Sequence, residues 1–277
     1  MLTQTFTWRG DRQVRWSRQG SGSPLVFCHG TPWSSVVWRR IGDALCRDFT
    51  IYMWDMLGYG ASTMEDGQDV SLATQGALLV DLLEHWQLAE PYVVAHDYGG
   101  AVALRAHLLH SARYRALALV DAVAVAPWGS EFFRLVAANS SVFAQIPPPL
   151  HEALLRAYIA GAAHRPLADV DLDALVAPWL GARGQPAFYR QIEQADQRYT
   201  DDVEPLYPSI QMPVLIVWGA EDAWIPVDRA HRLAEVIPGA ELRLVPDAGH
   251  LIQFDAPEHL TATLQRWLLG QAPPGRR

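Results

Sequence analysis

The sequence of 277 residues predicts an α/β fold: a mostly parallel sheet with helices on both faces and an inserted helical cap. Short apolar runs of strand length recur along the chain, each entering a polar or glycine-containing loop, as buried parallel strands do. Helical patterns alternate with them, the signature of a doubly covered sheet. Between about residues 127 and 208 the strand signal stops, and prolines and helical stretches replace it. The expected organisation is therefore a core at 1–126, a helical cap at 127–207 and the rest of the core at 208–277.

Each element has a local reason. Residues 5–18 alternate apolar and charged around Gly10-Asp11, which predicts a half-exposed hairpin at the sheet edge. Residues 24–28 and 50–54 are apolar and end in His29-Gly30 and Asp55-Met56-Leu57-Gly58, as buried strands with loops at their C-terminal ends would. Ser71 is placed to cap a helix over 72–86, whose Leu78, Leu79, Leu82, Leu83 and Trp86 share one face. A strand through Val93-Val94 follows, then a helix over 100–110 and a strand over 117–120. Helical stretches around 150–163 and 188–195 belong to the cap, introduced by Pro147-Pro148-Pro149. Strands over 214–218 and 242–245 complete the sheet, and Pro273 to Arg277 read as a frayed tail.

Composition narrows the function. A net charge of −8 and a pI near 5.6 argue against a nucleic-acid footprint. No basic leader precedes an apolar core at the N-terminus, and no run approaches the ~20 apolar residues of a membrane span. Cytoplasm is the expected compartment. Cys28 and Cys46 have neither metal nor redox spacing and read as small buried hydrophobes. No histidine pair has the spacing of a metal site, so neither metal nor other cofactor is expected. Eleven tryptophans spread from Trp8 to Trp267 read mostly as packing residues. The expected partner is a small apolar or amphipathic substrate.

The most informative stretch is Val93-Val94-Ala95-His96-Asp97-Tyr98-Gly99-Gly100. Small residues flank Asp97 at the spacing a sharp strand-to-helix elbow requires, because larger side chains would collide where the backbone doubles back. An aspartate is ionised at neutral pH, so it can act as a nucleophile without a general base. Attack on an sp3 carbon yields an alkyl ester, whereas attack on a carboxylic ester would give an uphill mixed anhydride. Asp97, Asp222 and His250 occur in the order nucleophile, acid, histidine, each shortly after an apolar run.

In these features, and in His29-Gly30-Thr31-Pro32 and Trp218-Gly219-Ala220-Glu221-Asp222, the chain resembles the α/β-hydrolase superfamily over nearly its full length. Asp97 resembles the nucleophile of the branch containing epoxide hydrolases and haloalkane dehalogenases. The resemblance implies that Asp222 orients His250, that His250 activates water against the ester, and that the backbone N–H groups of Thr31 and Tyr98 form the oxyanion hole. Asp121, after the strand over 117–120, stands where some dehalogenases place the acid; the usual strand order favours Asp222. His29 and His96 are expected to orient loops.

The leaving group separates the branches. Phe188-Tyr189-Arg190 resembles the cap segment from which epoxide hydrolases donate a proton, making Tyr189 the first candidate and Tyr158 the second, with Tyr199 and Tyr207 behind them. Dehalogenases stabilise halide with indole or amide N–H groups, for which Trp33 and Trp128 are candidates. Yet Thr31 stands where their asparagine would be, and Tyr98 where their tryptophan would be. The arginines of the fluoroacetate dehalogenase variant are also replaced, by Tyr98 and Ala101. The sequence therefore favours epoxide hydrolysis to a diol. The alternatives are haloalkane dehalogenation, ester or lactone hydrolysis, and ligand binding without catalysis.

Overall fold

A computed structural model describes residues 2–271; the expected tail from Pro273 lies outside them. Eight strands form one sheet in the order β1-β2-β4-β3-β5-β6-β7-β8. β1 (Gln4–Trp8) and β2 (Arg12–Gly20) make the expected edge hairpin, with Trp8 paired to Arg12 and Gly10 supplying the positive φ of the turn. β2 also pairs antiparallel with β4 (Phe49–Trp54). All remaining pairs are parallel: β3 (Ser23–Cys28) lies between β4 and β5 (Tyr92–His96), followed by β6 (Ala116–Val120), β7 (Val214–Gly219) and β8 (Glu241–Val245). β4, β5, β6 and β7 are buried along their entire length, which is why they read as continuous apolar runs instead of alternating ones.

Helices cover both faces of the sheet. α1 (Arg39–Leu45) packs on the C-terminal helix Pro257–Gly270, and α2 (Leu72–His85) packs on α3 (Tyr98–His110). The Ser71 hydroxyl caps α2 by accepting from Thr74 N–H at 3.3 Å. None of the described helices is long and apolar enough to cross a membrane.

No strand occurs between β6 and β7. This span holds α4 (Glu131–Ala138), α5 (Ser140–Phe143), α6 (Pro148–Ala160), α7 (Asp169–Val176) and α8 (Gly181–Glu193). Pro148 starts α6, where its missing N–H costs nothing because the first turn has no intrahelical acceptor for it. Specific polar contacts seat these helices on the core. Trp179 Nε1 donates to the Pro32 carbonyl at 2.7 Å, Arg40 pairs with Asp171 at 2.7 Å, and Asp255 accepts from the His164 and Arg165 amides at 2.8 and 2.9 Å.

Candidate active site

Parallel strands align their C-terminal ends, so the loops after β3, β5, β7 and β8 converge at one edge of the sheet. Asp97 stands between β5 and α3 with φ 51° and ψ −120°, a conformation that costs a non-glycine residue of the order of 1–3 kcal/mol. Three backbone bonds hold it there. Its N–H donates to Val120 O at 3.2 Å, and its carbonyl accepts from Gly100 N at 2.9 Å and Val123 N at 3.0 Å. A Cβ at position 99 would lie 2.6 Å from the Cys28 carbonyl oxygen, so only glycine lets the elbow approach β3.

Asp97 is 4% exposed, and its two carboxylate oxygens face different partners. Oδ1 accepts from the Thr31 N–H at 2.6 Å. Oδ2 lies 3.4 Å from His250 Nε2, an ion-pair separation without hydrogen-bond geometry. His250 Nδ1 is 2.9 Å from Asp222 Oδ2, while Asp222 Oδ1 accepts from Trp224 N at 2.7 Å and Ile225 N at 2.9 Å. Those two amides fix the carboxylate so that its other oxygen points at the imidazole. Burial alone would depress the His250 pKa, but the Asp222 carboxylate, and then that of Asp97, hold it well above the ordinary value.

Both neighbouring histidines have positioning roles. His29 Nδ1 donates to the Gly30 carbonyl at 2.8 Å and Nε2 accepts from Met56 N–H at 2.9 Å, tying the turn after β3 to the loop after β4. His96 Nε2 donates to the His250 carbonyl at 2.9 Å, and burial, assisted by His250, lowers its pKa to about 3, so it is neutral.

A small cavity opens beside Asp97. Thr31, Tyr98, Tyr158, Trp128 and Trp224 are among its lining residues. The Tyr98 hydroxyl is buried and has no hydrogen-bond partner among the described residues. Burial raises the Tyr98 and Tyr158 phenol pKa values, and the nearby Asp97 charge raises them further. Trp224 stacks on Tyr158 at 4.5 Å and on His250 at 5.2 Å.

Of the residues singled out from sequence, Asp97, Asp222, His250, Thr31, Tyr98, Tyr158 and Trp128 therefore meet at one place. Tyr189 does not. Its hydroxyl donates to His151 Nδ1 at 2.8 Å within the cap, and it is not among the cavity's lining residues. The expectation that Tyr189 faces Asp97 is corrected accordingly. His151 completes this separate contact by donating from Nε2 to the Trp179 carbonyl at 3.0 Å. Trp33 is not among the lining residues either; it stacks at 5.6 Å on Trp224, which is. The Trp128 indole lines the cavity, but its N–H donates to the Thr200 hydroxyl at 2.9 Å. Tyr199 and Tyr207 lie outside the lining, and the Tyr207 hydroxyl donates to the Ala124 carbonyl at 2.6 Å.

Sequence reasoning missed Gln191 and Tyr59. Gln191 Oε1 accepts from the Thr31 hydroxyl at 2.6 Å and the Tyr59 hydroxyl at 3.1 Å, connecting the cap to the turn that holds Asp97. Tyr59 had a usable signal, since it comes directly after Asp55-Met56-Leu57-Gly58, the loop that follows a buried strand. Gln191 had none, because one polar residue on an amphipathic helix does not report which neighbour it meets.

A family model described as alpha/beta hydrolase fold matches residues 23–257. The crystal structure of an alpha/beta hydrolase fold protein from Burkholderia ambifaria is 47% identical, with a TM-score of 0.93, covering 96% of this chain and 98% of that one. Haloalkane dehalogenase 2 of Mycobacterium bovis is 24% identical over 269 residues, 91% of this chain and 90% of its own. The 2-hydroxy-6-oxo-2,4-heptadienoate hydrolase of Pseudomonas putida is 26% identical over 247 residues, 85% of each.

Proposed function

We propose, from the premise that this chain belongs to the alpha/beta hydrolase fold family, that it hydrolyses epoxides to diols through a covalent ester on Asp97. The supporting observation is the division of labour on that carboxylate. Oδ1 is already seated on the Thr31 N–H, where the ester carbonyl oxygen will need a donor, and Oδ2 is left facing the cavity side and His250.

Oδ2 attacks a ring carbon and the ring C–O bond breaks, leaving an alkoxide. Tyr158 and Tyr98, whose phenols both sense Asp97, supply its proton. Their raised pKa values keep the proton in place until an alkoxide claims it. Alkylation then removes the Asp97 charge, one of the two carboxylates that sustain the His250 proton, and His250 releases that proton to solvent, to be regained once the Asp97 carboxylate re-forms. Neutral His250, oriented by Asp222, takes a proton from water as the oxygen adds to the ester carbonyl. Collapse of that adduct expels the diol, re-forms the carboxylate and returns the proton to the phenolate. The balance is epoxide plus water to diol.

The second reading is haloalkane dehalogenation by the same ester chemistry, favoured by the Mycobacterium bovis relative named for that activity. Against it, the Trp128 indole is engaged by Thr200, and a phenol occupies the position after Asp97. Turnover of a panel of terminal epoxides and 1-haloalkanes separates the readings. Tyr158→Phe is expected to lower epoxide opening by roughly 10²-fold or more, the low end of a typical general-acid contribution, while sparing halide release. His250→Gln should accumulate an alkyl adduct on Asp97, visible as added mass on its peptide. In the parent enzyme, adduct breakdown should accelerate with rising pH as His250 loses its proton, whereas adduct formation should not. Epoxide turnover with no adduct on His250→Gln and no solvent oxygen entering Asp97 in a single turnover would refute the mechanism.

A further inference from the structure

Trp224, in the loop after β7, is where the aromatic contacts of the site converge. Its indole lies near-parallel to three rings: Tyr158 at 4.5 Å and 26°, His250 at 5.2 Å and 24°, and Trp33 at 5.6 Å and 20°. Its backbone N–H meanwhile donates to Asp222 Oδ1 at 2.7 Å. One residue therefore holds the acid through its main chain and stacks on the imidazole through its side chain. It also lines the cavity with Asp97 and Tyr158, so the indole belongs to the wall that a substrate meets.

A π face attracts a cation within about 6 Å of the ring, and more strongly where water is excluded. His250 is fully buried, and its ring centroid falls inside that range. We infer that Trp224 is a positioning residue for His250, its indole face stabilising the imidazolium form over the neutral one by a cation–π contact. The near-parallel geometry suits this role, because an edge-on indole would turn its positive rim toward the cation. Trp33, buried beneath the turn after β3, supports the indole in that plane.

The other groups around His250 act through charge or hydrogen bonds. Asp222 and, from the elbow, Asp97 favour its proton. His96 of β5 lies at 4.8 Å with its ring tilted by 43°, and it is neutral. Tyr158 of α6 is a phenol stacked on the indole. Asp121, after β6, accepts from Gly219 N–H, and Asp255 accepts from the amides of Gly249, His164 and Arg165. The stacking is a property of the resting protein and needs no substrate. Its consequence for turnover, easing the step in which His250 takes a proton from water, rests on the mechanism proposed above.

The test is proton–nitrogen-15 NMR of the full-length enzyme labelled at histidine and titrated from about pH 6 to 11, the His250 signals being assigned by their loss in His250→Gln. Trp224→Leu removes the π face and keeps an apolar side chain, whereas Trp224→Phe keeps a π face. Both retain the amide that donates to Asp222. His250 is expected to titrate lower in the Leu variant than in the parent, on the order of half to one pH unit, and the Phe variant should recover most of that shift. A purely packing role predicts the opposite sign, since a gap beside a buried imidazole admits water and relieves the burial that depresses its pKa. Repeating the series on Asp97→Asn, which withdraws one of the charges that hold the His250 proton, brings the midpoint lower and reads the same shift there. A midpoint unchanged or raised in the Leu variant, or lowered equally in Leu and Phe, overturns the inference. Failure of epoxide turnover would refute the proposed reaction and leave this result standing.

Discussion

Asp97 is held in a conformation that only its surroundings permit, and Gly30, Gly99 and Gly100 make the close approaches there. A Cβ on Gly30 would fall 2.3 Å from the Asp97 Cβ and Oδ1, inside the carboxylate that the next residue's amide, Thr31 N–H, is holding. Gly30→Ala is therefore expected to displace the side chain as well as crowd the turn. Overpacking of this kind costs about 1–3 kcal/mol, so the variant should fold with a lowered urea midpoint and lose adduct formation almost entirely. Parent-like adduct rates in a variant of normal stability would show that the turn relaxes around the methyl. The elbow accommodates aspartate at position 97 for the same reason. The small residues around it answer to backbone approach, and the central side chain faces the cavity.

At the scale of elements, the sheet was legible because its central strands are buried on both faces and so appear as unbroken runs such as Tyr92-Val93-Val94-Ala95 and Ala116-Leu117-Ala118-Leu119-Val120. The loops after them were legible for the same reason, which located Asp97, Asp222 and His250. The segment between β6 and β7 was legible as an absence of strands and as helical stretches around 150–163 and 188–195. A helix sequence does not disclose its own rotation, and on α8 that rotation decided the outcome. Tyr189 and Gln191 are two residues apart, hence roughly 200° around the axis. Gln191 faces Thr31 and Tyr59 on the core, so Tyr189 faces His151 inside the cap. The motif Phe188-Tyr189-Arg190 marked the correct helix and the wrong side of it. The contact that does join α8 to the core is testable. Gln191→Met removes the acceptor at similar volume and leaves two buried hydroxyls without it. An unsatisfied buried polar group costs about 1–3 kcal/mol, so a loss of about 2 kcal/mol in urea unfolding is expected. The KM for epoxides should rise as the Thr31 turn loosens, and an unchanged midpoint would mean that water replaces the amide.

For the whole molecule, the buried histidines set how stability responds to pH, and their signs differ. His250 has a folded pKa above its unfolded value, so its contribution is complete below about pH 6.5 and is lost as pH rises through the folded pKa. In acid it is protonated in both states and adds no slope. His96 works the other way. Its ring lies in the sheet core at 4.8 Å from the His250 ring and edge-on to Trp38, and burial with His250 lowers its pKa to about 3. The charged groups acting on it, Asp97 and Asp222, favour the proton but do not offset burial and His250. Between about pH 6.5 and 3 the unfolded chain binds a proton at this position that the native state refuses, so acidification should remove about 1.4 kcal/mol of stability per pH unit from this residue alone. His96→Asn can keep the donor to the His250 carbonyl while removing the titration. Chemical unfolding at intervals from about pH 7 to 5 should give the variant a slope shallower by about that amount below pH 6.5. Parallel slopes for the two proteins would place the acid sensitivity at other groups, with His29 and His151, both depressed first by burial, the next to replace.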